Sequence, residues 1–251
     1  MFSFDYGTPI AKFTNGKYKD KLILKVADTI ENKNSNKILG NDIEFKSKII
    51  PIHNNKSRIH YICGSSGCGK STMASKILES YKKENPKNEI YIFSRKSNDI
   101  ALDHLKPIWV SIDDELLENP IDITKEVEKG GCCFLFDDYN TIQDKELREC
   151  VSNLMHDIME VGRAYNICCV ITNHLINGDN KKDMRTIFNE AHTITIFPKG
   201  GNIYGIRYML KNYIGYDKSV IERILKLNSR WCTIYKHYPN YVLYENGAFI
   251  P

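Results

Sequence analysis

The sequence predicts an α/β fold in which helices flank a mostly parallel central sheet, and two patterns support this prediction. From about residue 57 onward, short apolar runs alternate with amphipathic stretches, which is typical of βαβ units that build a parallel sheet. Near the C-terminus, the runs Trp231–Tyr235 and Tyr241–Tyr244 flank Pro239-Asn240, a pattern that favours an antiparallel hairpin.

The apolar runs define the individual elements. We predict strands at Ile59–Cys63, Ile90–Phe93, Ile108–Val110, Cys132–Phe136, Ile167–Thr172 and His192–Phe197, of which Cys132–Phe136 and Ile167–Thr172 are expected to be buried. We predict helices at Lys70–Lys82, Asp144–Arg163 and Lys218–Leu227. In the second of these helices, Leu147, Val151 and Leu154 recur at the spacing of one helix face, which gives that helix an apolar side for the core.

The first 50 residues lack this alternation and are interpreted as polar and irregular. The segment Asn32–Lys37 is typical of a loop, and Lys21–Val26 favours a single strand. The length of 251 residues suits one large domain or two small ones. We therefore predict an N-terminal extension over residues 1–50 and one α/β domain over residues 51–251.

Composition narrows the class of protein. Hydrophobic residues make up 42% and charged residues 26% of the chain, both near globular averages. No apolar run approaches the ~18–20 residues that span a bilayer, so we expect no membrane insertion. The net charge of +4 permits a nucleic-acid partner without arguing for one.

The eight cysteines raise the question of disulfides or a zinc site. Cys132 and Cys133 are adjacent, as are Cys168 and Cys169, and neighbours on a strand point to opposite faces. The sequence contains no CxxC pair and no Cys/His knuckle with zinc-site spacing. We therefore predict reduced, buried cysteines that pack as small apolar residues.

One motif carries the strongest functional signal. The segment Gly64–Ser71 reads GSSGCGKS and matches the phosphate-loop pattern GxxxxGK[ST], with a predicted strand before it and a helix after it. Glycines let the backbone approach phosphate oxygens closely, and the loop amides and helix N-terminus face the anion. The predicted ATP-binding residues are Gly64, Ser65, Ser66, Gly67, Cys68, Gly69, Lys70, Ser71 and Thr72.

Within this set, we expect Lys70 to reach the β- and γ-phosphates and Ser71 to bind Mg²⁺ through its hydroxyl, with Thr72 near the α-phosphate. The alternative, a glycine-rich turn with an incidental lysine, does not account for the strand and helix on either side of the motif.

Polar residues end two of the buried runs. Asp137 and Asp138 follow Cys132–Phe136, and ligands of open α/β sheets bind at the carboxyl ends of strands. We predict that Asp137 holds Mg²⁺ through a water and that Asp138 orients or deprotonates the attacking water. Asn173 follows the next run, and we predict that its amide contacts the γ-phosphate and that water. The alternatives are turn or cap residues for the aspartates and a plain loop residue for Asn173.

A single nucleotide domain leaves the charge of the transition state under-neutralised, so we expect an arginine from a neighbouring subunit. One candidate is Arg163, at the end of the long helix. The other is Arg185, in a polar loop that also carries Lys181 and Lys182. The sequence does not choose between the two arginines, and each can also be an exposed solvated charge. His174 is interpreted as structural.

Several further segments occur in an order known from one protein family. They are Tyr91–Lys96, Phe134–Asp138, Gly162–Ile167, Thr172–Leu175, Arg185–Ala191 and Ser229–Trp231. With these segments and the phosphate loop, residues from about 57 to 250 resemble the DNA-packaging ATPases of large nucleocytoplasmic DNA viruses and virophages, a branch of the FtsK–HerA superfamily.

The resemblance implies a RecA/FtsK–HerA-like P-loop ATPase domain over residues 51–251. It also implies that antiparallel C-terminal strands extend the central sheet of this domain. It implies an Mg²⁺-dependent, DNA-stimulated ATPase that moves double-stranded DNA into a preformed capsid as a homo-oligomeric ring. Capsid or portal components would be further partners, in the host cytoplasm (viral factory) or the virion. The loop with Lys181 and Lys182 would contact DNA phosphates. The wider superfamily commonly has Glu at the position of Asp138.

Two other functions are compatible with a phosphate loop. A nucleoside or nucleotide kinase has this fold and size but usually carries an arginine-rich lid, and the sequence shows no arginine cluster. A non-catalytic nucleotide-binding scaffold of a virion would bind ATP and hydrolyse it negligibly. Phosphate transfer to a nucleoside would indicate the kinase, and hydrolysis stimulated by DNA would indicate the motor.

Overall fold

Two β-sheets organise the chain in a computed structural model that describes residues 1–27, 38–53, 58–122, 125, 131–162, 164–174 and 181–251. One sheet has five strands and the other has ten. The smaller sheet comes from the N-terminal part of the chain, and the larger one contains the elements predicted from residue 57 onward.

The N-terminal strands are β1 (Phe2–Ser3), β2 (Thr8–Phe13), β3 (Ile23–Val26), β4 (Ile38–Gly40), β5 (Asp42–Glu44) and β6 (Ile49–Pro51). Five of them form an antiparallel sheet in the order β4-β1-β3-β2-β6. The prediction of an irregular extension is therefore wrong, although β3 confirms the predicted strand at Lys21–Val26. These strands are short, and a bulge interrupts β2 between Pro9 and Ala11, so their alternation is weak in the sequence. The boundary at residue 50 stays a prediction.

The large sheet contains β7 (Ile59–Cys63), β8 (Glu89–Ser94), β9 (Ile108–Ser111), β10 (Cys132–Phe136), β11 (Cys168–Asn173), β12 (Thr193–Ile196), β13 (Cys232–Tyr235), β14 (Tyr241–Tyr244) and β15 (Gly247–Phe249). Its order is β5-β15-β14-β13-β12-β7-β11-β10-β8-β9. The six strands from β12 to β9 are parallel, and the others pair antiparallel. This arrangement confirms the predicted mostly parallel sheet with an antiparallel C-terminal extension.

The helices are α1 (Lys70–Glu84), α2 (Asp114–Glu118), α3 (Lys145–Val161), α4 (Lys181–Glu190), α5 (Ile203–Met209) and α6 (Lys218–Lys226). The three predicted helices are α1, α3 and α6. The N-cap of α3 is Asp144, whose carboxylate accepts a hydrogen bond from the Leu147 amide at 2.9 Å. No described helix is long and apolar enough to cross a membrane.

Each face of the large sheet supports its own hydrophobic cluster. On one face, Cys133, Leu135 and Val170 pack with apolar residues of α1 and of the small sheet. On the other face, Phe134 and Phe136 pack with residues of α3 to α6. All eight cysteines are free, which confirms the prediction of reduced thiols, and those on β10 and β11 are fully or almost fully buried.

Candidate nucleotide-binding site

The phosphate loop connects β7 to α1 at the carboxyl ends of the parallel strands, where ligands of open α/β sheets bind. Gly67 and Gly69 have φ angles of +75° and +110°, a region that side chains other than glycine rarely adopt. Gly69 lies at the N-cap of α1. The loop glycines therefore meet a backbone requirement of this turn.

Lys70, the first residue of α1, is only 7% exposed. Its Nζ donates a hydrogen bond to the Gly64 carbonyl at 3.1 Å and lies 3.2 Å from His174 Nδ1. The same ammonium lies 3.7 Å from Asp138 Oδ1. These contacts hold the charge over the loop, where phosphate oxygens can replace the carbonyl as its partner.

A cleft of about 910 Å³ opens beside this lysine. Strand ends and loops from several parts of the sheet contribute its lining residues: Ser66, Gly67, Gly69, Lys70, Ser71, Thr72, Ser94, Arg95, Lys96, Asp99, Ile100, Ala101, Asp137, Asp138, Thr141 and His174. Six of the nine predicted ATP-binding residues thus line the cleft.

The other three predicted loop residues, Gly64, Ser65 and Cys68, are not lining residues of this cleft. Gly64 and Ser65 border a second, smaller cavity of about 130 Å³. The Ser65 hydroxyl donates to the Gly200 carbonyl at 2.8 Å. A Cβ on Gly64 would lie 2.5 Å from the sulfur of Cys68 and 2.7 Å from the ring of Phe197, so close packing explains the glycine there.

Asp137 is 7% exposed and lies between two hydroxyl groups. Its Oδ1 accepts a hydrogen bond from Thr172 Oγ1 at 2.9 Å, and its Oδ2 accepts one from Ser94 Oγ at 3.2 Å. Burial raises the pKa of this carboxyl, and the neighbouring Asp138 raises it further. The Lys96 ammonium, 3.9 Å from Oδ2, acts in the opposite direction.

Asp138 has a left-handed backbone with φ of +49° and two cationic or polar partners. Its Oδ2 lies 2.9 Å from His174 Nε2, and its backbone N–H donates to Thr172 Oγ1 at 2.9 Å. Among the described residues, the buried Oδ1 has no hydrogen-bond partner. The Lys70 ammonium lies 3.7 Å from this oxygen, and the hydrogen-bonding capacity that the oxygen retains fits a bound water.

Ser71 and Asp137 line the same cleft, as the predicted magnesium site requires. Hydroxyl and carboxylate oxygens are the hard ligands that Mg²⁺ prefers, and Mg²⁺ usually keeps several of its waters. The donor set therefore fits a magnesium–nucleotide complex.

Asn173 is not brought into the cleft. Its amide is fully buried, and Nδ2 donates to the hydroxyl of Tyr61 at 3.3 Å and to the sulfur of Met184 at 3.9 Å. The predicted contact of this amide with the γ-phosphate is therefore corrected. The reason is the alternation along β11, which points Thr172 toward Asp137 and Asn173 to the opposite face.

His174, interpreted from the sequence as structural, contacts both Lys70 and Asp138 in the cleft. The same alternation is the signal that identifies it, because residues 172 and 174 lie on one side of the chain. Sequence analysis also assigned no role to Arg95 and Lys96, which follow β8 and line the cleft. They bring two cations to the phosphate side of the sheet.

The two candidate arginines stand apart from this cleft. Arg163 lies outside the described residues. Arg185 is exposed on α4 and does not line the cleft of its own chain. The predicted polar loop over residues 177–185 is corrected in part, because Lys181 and Lys182 begin α4. Residues 177–180 lie outside the described part.

Comparisons of sequence place this chain among known proteins. A protein of the Sputnik virophage, described as "Uncharacterized protein V3", is 44% identical over 241 residues, which cover 96% of this chain and 94% of that protein. A family model described as "Nephrocystin 3, N-terminal" matches residues 37–171. That segment contains the phosphate loop, the acidic pair after β10 and most of β11.

Comparisons of structure show the fold. The pCW3 conjugation coupling protein TcpA, solved with ATPgS, has a TM-score of 0.53 at 15% identity, covering 96% of this chain and 77% of that one. The genome packaging NTPase B204 of Sulfolobus turreted icosahedral virus 2, solved with AMPPCP, has a TM-score of 0.50 at 15% identity. The match covers 72% of this chain and 93% of that one. Both likenesses confirm the predicted P-loop fold of the FtsK–HerA type.

Proposed function

We propose that this chain, which belongs to the family of the Sputnik virophage protein V3 and has a P-loop fold of the FtsK–HerA type, hydrolyses ATP to move double-stranded DNA. Its residues 37–171 also belong to the Nephrocystin 3 N-terminal family. We propose further that it works as a homo-oligomeric ring that drives DNA into a preformed capsid. Its partners would be capsid or portal components, in the host cytoplasm (viral factory) or in the virion.

The observation that carries this proposal is the meeting of Lys70, Asp137 and Asp138 in one cleft beside the phosphate loop. In our proposal the loop and Lys70 bind the phosphates of ATP. Ser71 and Asp137 hold Mg²⁺, which neutralises phosphate charge when it is bound. Asp138 presents to the attacking water its Oδ1, which accepts no hydrogen bond from the described residues.

The contacts of His174 give it a positioning role in this site. With Nδ1 accepting from Lys70, Nε2 carries the proton that Asp138 Oδ2 accepts. That hydrogen bond fixes one oxygen of Asp138 and leaves the other for water. The hydrogen bond also restricts rotation of the carboxylate, so the group is already oriented for catalysis. This orientation offsets the shorter side chain of Asp relative to Glu.

Completion of the site in trans is the second part of the proposal. Arg185 is exposed and does not line the cleft of its own chain, so it is available to a neighbouring subunit. Arg163 remains the other candidate. An arginine supplied in trans typically raises phosphoryl-transfer rates by about 10³–10⁵-fold, which ties hydrolysis to ring assembly.

The test is steady-state ATP hydrolysis by the full chain, with and without double-stranded DNA, while the mass of the assembly is measured in parallel. We expect hydrolysis by the assembled species, stimulation by DNA and loss of activity in Lys70→Ala. An assembled, nucleotide-bound protein without a DNA response contradicts the motor. Phosphate transfer to a nucleoside in the same assay supports the kinase instead.

Mixing of variants tests the arginine. Lys70→Ala subunits keep both arginines, and Arg185→Ala subunits keep an intact cleft. If Arg185 acts in trans, the two inactive proteins regain activity when they are mixed, because some clefts then face an intact arginine. Arg163→Ala is tested in the same way, and the absence of rescue with either arginine variant contradicts completion in trans by these residues.

A further inference from the structure

A second group of metal-ligating side chains lies at the end of the large sheet opposite the phosphate loop. His53 follows β6, His60 is the second residue of β7, and Cys168 is the first residue of β11. Their ligand atoms lie within 4.8 Å of one another, and the three side chains are at most 2% exposed. Residues this far apart in the chain form no spacing motif, so the group is visible only in the fold.

The distances in this group are those of a tetrahedral metal site. His53 Nδ1 lies 3.4 Å from His60 Nε2 and 3.9 Å from Cys168 Sγ. Around a tetrahedral Zn²⁺ with the usual bond lengths, two nitrogens are about 3.4 Å apart, and a nitrogen and a sulfur about 3.6 Å. The two distances from His53 therefore match a tetrahedral ligand set to within a few tenths of an ångström, and the ligand atoms of His60 and Cys168 lie within 4.8 Å of each other.

The outer nitrogens of the two imidazoles have partners of the kind that orient metal ligands. His60 Nδ1 lies 2.8 Å from Thr193 Oγ1, so Nε2 is directed into the group. His53 Nε2 lies 4.0 Å from the Glu84 carboxylate. The backbone N–H of His53 donates to Ser80 Oγ at 3.0 Å, which anchors this residue to α1.

Cys133 supplies a fourth candidate ligand. It is fully buried and pairs in register with Cys168 on the neighbouring parallel strand, so the two side chains lie on the same face of the sheet. Charge favours its inclusion, because two thiolates neutralise Zn²⁺ in a site that excludes water, and an uncompensated charge is costly there. His and Cys ligands together select zinc over magnesium or calcium.

We propose that His53, His60, Cys133 and Cys168 bind a structural Zn²⁺. The ion would connect His53, in the segment after the small sheet, to the first residues of β7 and β11. It would thereby hold the N-terminal sheet against the ATPase core. Four protein ligands close the coordination sphere, which is typical of structural and not of catalytic zinc. This site is separate from the magnesium site, which is built from oxygen ligands at the other end of the sheet.

The first experiment measures metal in the full chain, purified with a tag that contains no histidine. We expect about one zinc ion per chain, and a metal-free form prepared with chelator that takes zinc back in competition with a chromophoric chelator. Replacement by Co²⁺ is expected to give thiolate-to-metal charge-transfer absorption and the d–d bands of a tetrahedral site. A folded protein that binds neither Zn²⁺ nor Co²⁺ overturns the proposal.

Variants locate the site. Cys168→Ser and His60→Gln are expected to lose the metal, while Cys133→Ser is expected to bind more weakly and with less charge-transfer intensity. Cys169→Ser is the matched control, because Cys169 is equally buried on the same strand but faces the other cluster. Equal metal content in Cys168→Ser and the unmodified chain overturns the site. An unchanged cobalt spectrum in Cys133→Ser overturns the four-ligand assignment.

Folding of each variant is checked by circular dichroism before its metal content is interpreted. If Cys168→Ser does not fold, the cobalt spectrum of the unmodified chain decides by itself, because only thiolate ligands give the charge-transfer absorption. Excess Mg²⁺ and ATP are added to that sample. A cobalt signal that they displace assigns the ion to the nucleotide cleft and contradicts the proposal.

Discussion

The two ends of the large sheet differ in how their polar side chains find partners. At the carboxyl end, Lys70 and Asp138 face an open cleft, and Asp138 Oδ1 lacks a hydrogen-bond partner among the described residues. At the amino end, His53, His60 and Cys168 are buried and contact one another. At the end of the sheet that binds and releases ligands, polar atoms stay available to those ligands. At the end that stabilises the fold, polar atoms are buried and partnered by protein groups.

The difference predicts opposite outcomes for substitutions at the two ends of the sheet. At the cleft, we expect a loss of activity with little loss of stability. At the amino end, we expect a loss of stability with little direct loss of activity. The largest expected effect is that of Lys70→Ala. We expect hydrolysis to fall at least about 10²–10³-fold, because the variant loses the cation that meets the β- and γ-phosphates.

Lys76→Ala is the control for this prediction, since Lys76 lies on the same helix and pairs at the surface with Glu79. Steady-state hydrolysis and the midpoint of thermal unfolding are measured for both variants. If Lys70→Ala keeps activity close to that of Lys76→Ala, the phosphate loop is not the site of hydrolysis.

His174→Ala gives the next largest effect. We expect kcat to fall about 10–100-fold with KM nearly unchanged, because His174 orients Asp138 and does not itself hold the substrate. His104→Ala is the control, since His104 is exposed and contacts Glu79 outside the cleft. An equal loss in KM and kcat would instead indicate that His174 binds the nucleotide.

The carboxyl end was predictable from the sequence because its residues are neighbours in the chain. The loop at Gly64–Ser71 and the pair Asp137-Asp138 each lie within one short segment, so spacing alone carries the signal. The long parallel strands and the helix α3 were predictable for the same reason, since each element shows its own periodicity.

The small sheet, the buried group at the amino end and the facing of residues after β11 depend on contacts between segments that are distant in the chain. The strands of the small sheet, such as β1 with two residues, are too short to show alternation and are defined by their pairing partners. The group of His53, His60 and Cys168 spans more than a hundred positions, so no spacing rule detects it. Whether the side chain of Asn173 or that of His174 lies in the cleft depends on the register and the end of β11, which the sequence does not show.

A pH-dependent effect tests the amino end. Burial lowers the pKa of His192 to about 3 from 6.5, with His237 adding to the shift. Between these values, the unfolded chain takes up a proton that the folded chain does not. Stability is therefore full above pH 6.5 and is lost as pH falls, by about 1.4 kcal/mol per pH unit.

We expect His192→Asn to remove most of this dependence. The Asn side-chain oxygen can still accept the hydrogen bond that His192 Nδ1 receives from the Ile59 amide at 3.1 Å. Urea unfolding of chelator-treated protein between pH 4 and 7 measures the slope, with His104→Asn as the exposed control. An unchanged slope in His192→Asn would assign the dependence to other groups.

The smallest expected effect on stability comes from the cleft side, where Asp137→Asn is expected to stabilise the protein slightly although it removes a predicted magnesium ligand. Burial raises the pKa of Asp137 above 3.8, so the folded state holds this proton more tightly than the unfolded state does. The carboxyl therefore lowers stability as pH rises through that window, and the full penalty is present at pH 7.

An asparagine at position 137 carries no charge, and its side chain can still hydrogen-bond to Thr172 and Ser94. We expect the free energy of unfolding at pH 7 to rise by on the order of 1 kcal/mol, with the gain vanishing below the pKa of the free carboxyl. Asp138→Asn is the matched control. It loses its ion pair with Lys70 and the charge that strengthens its hydrogen bond from His174, so we expect no gain there. Equal stabilisation in the two variants would mean that general charge repulsion in the cleft, and not the burial of Asp137, lowers the free energy of unfolding of the unmodified protein.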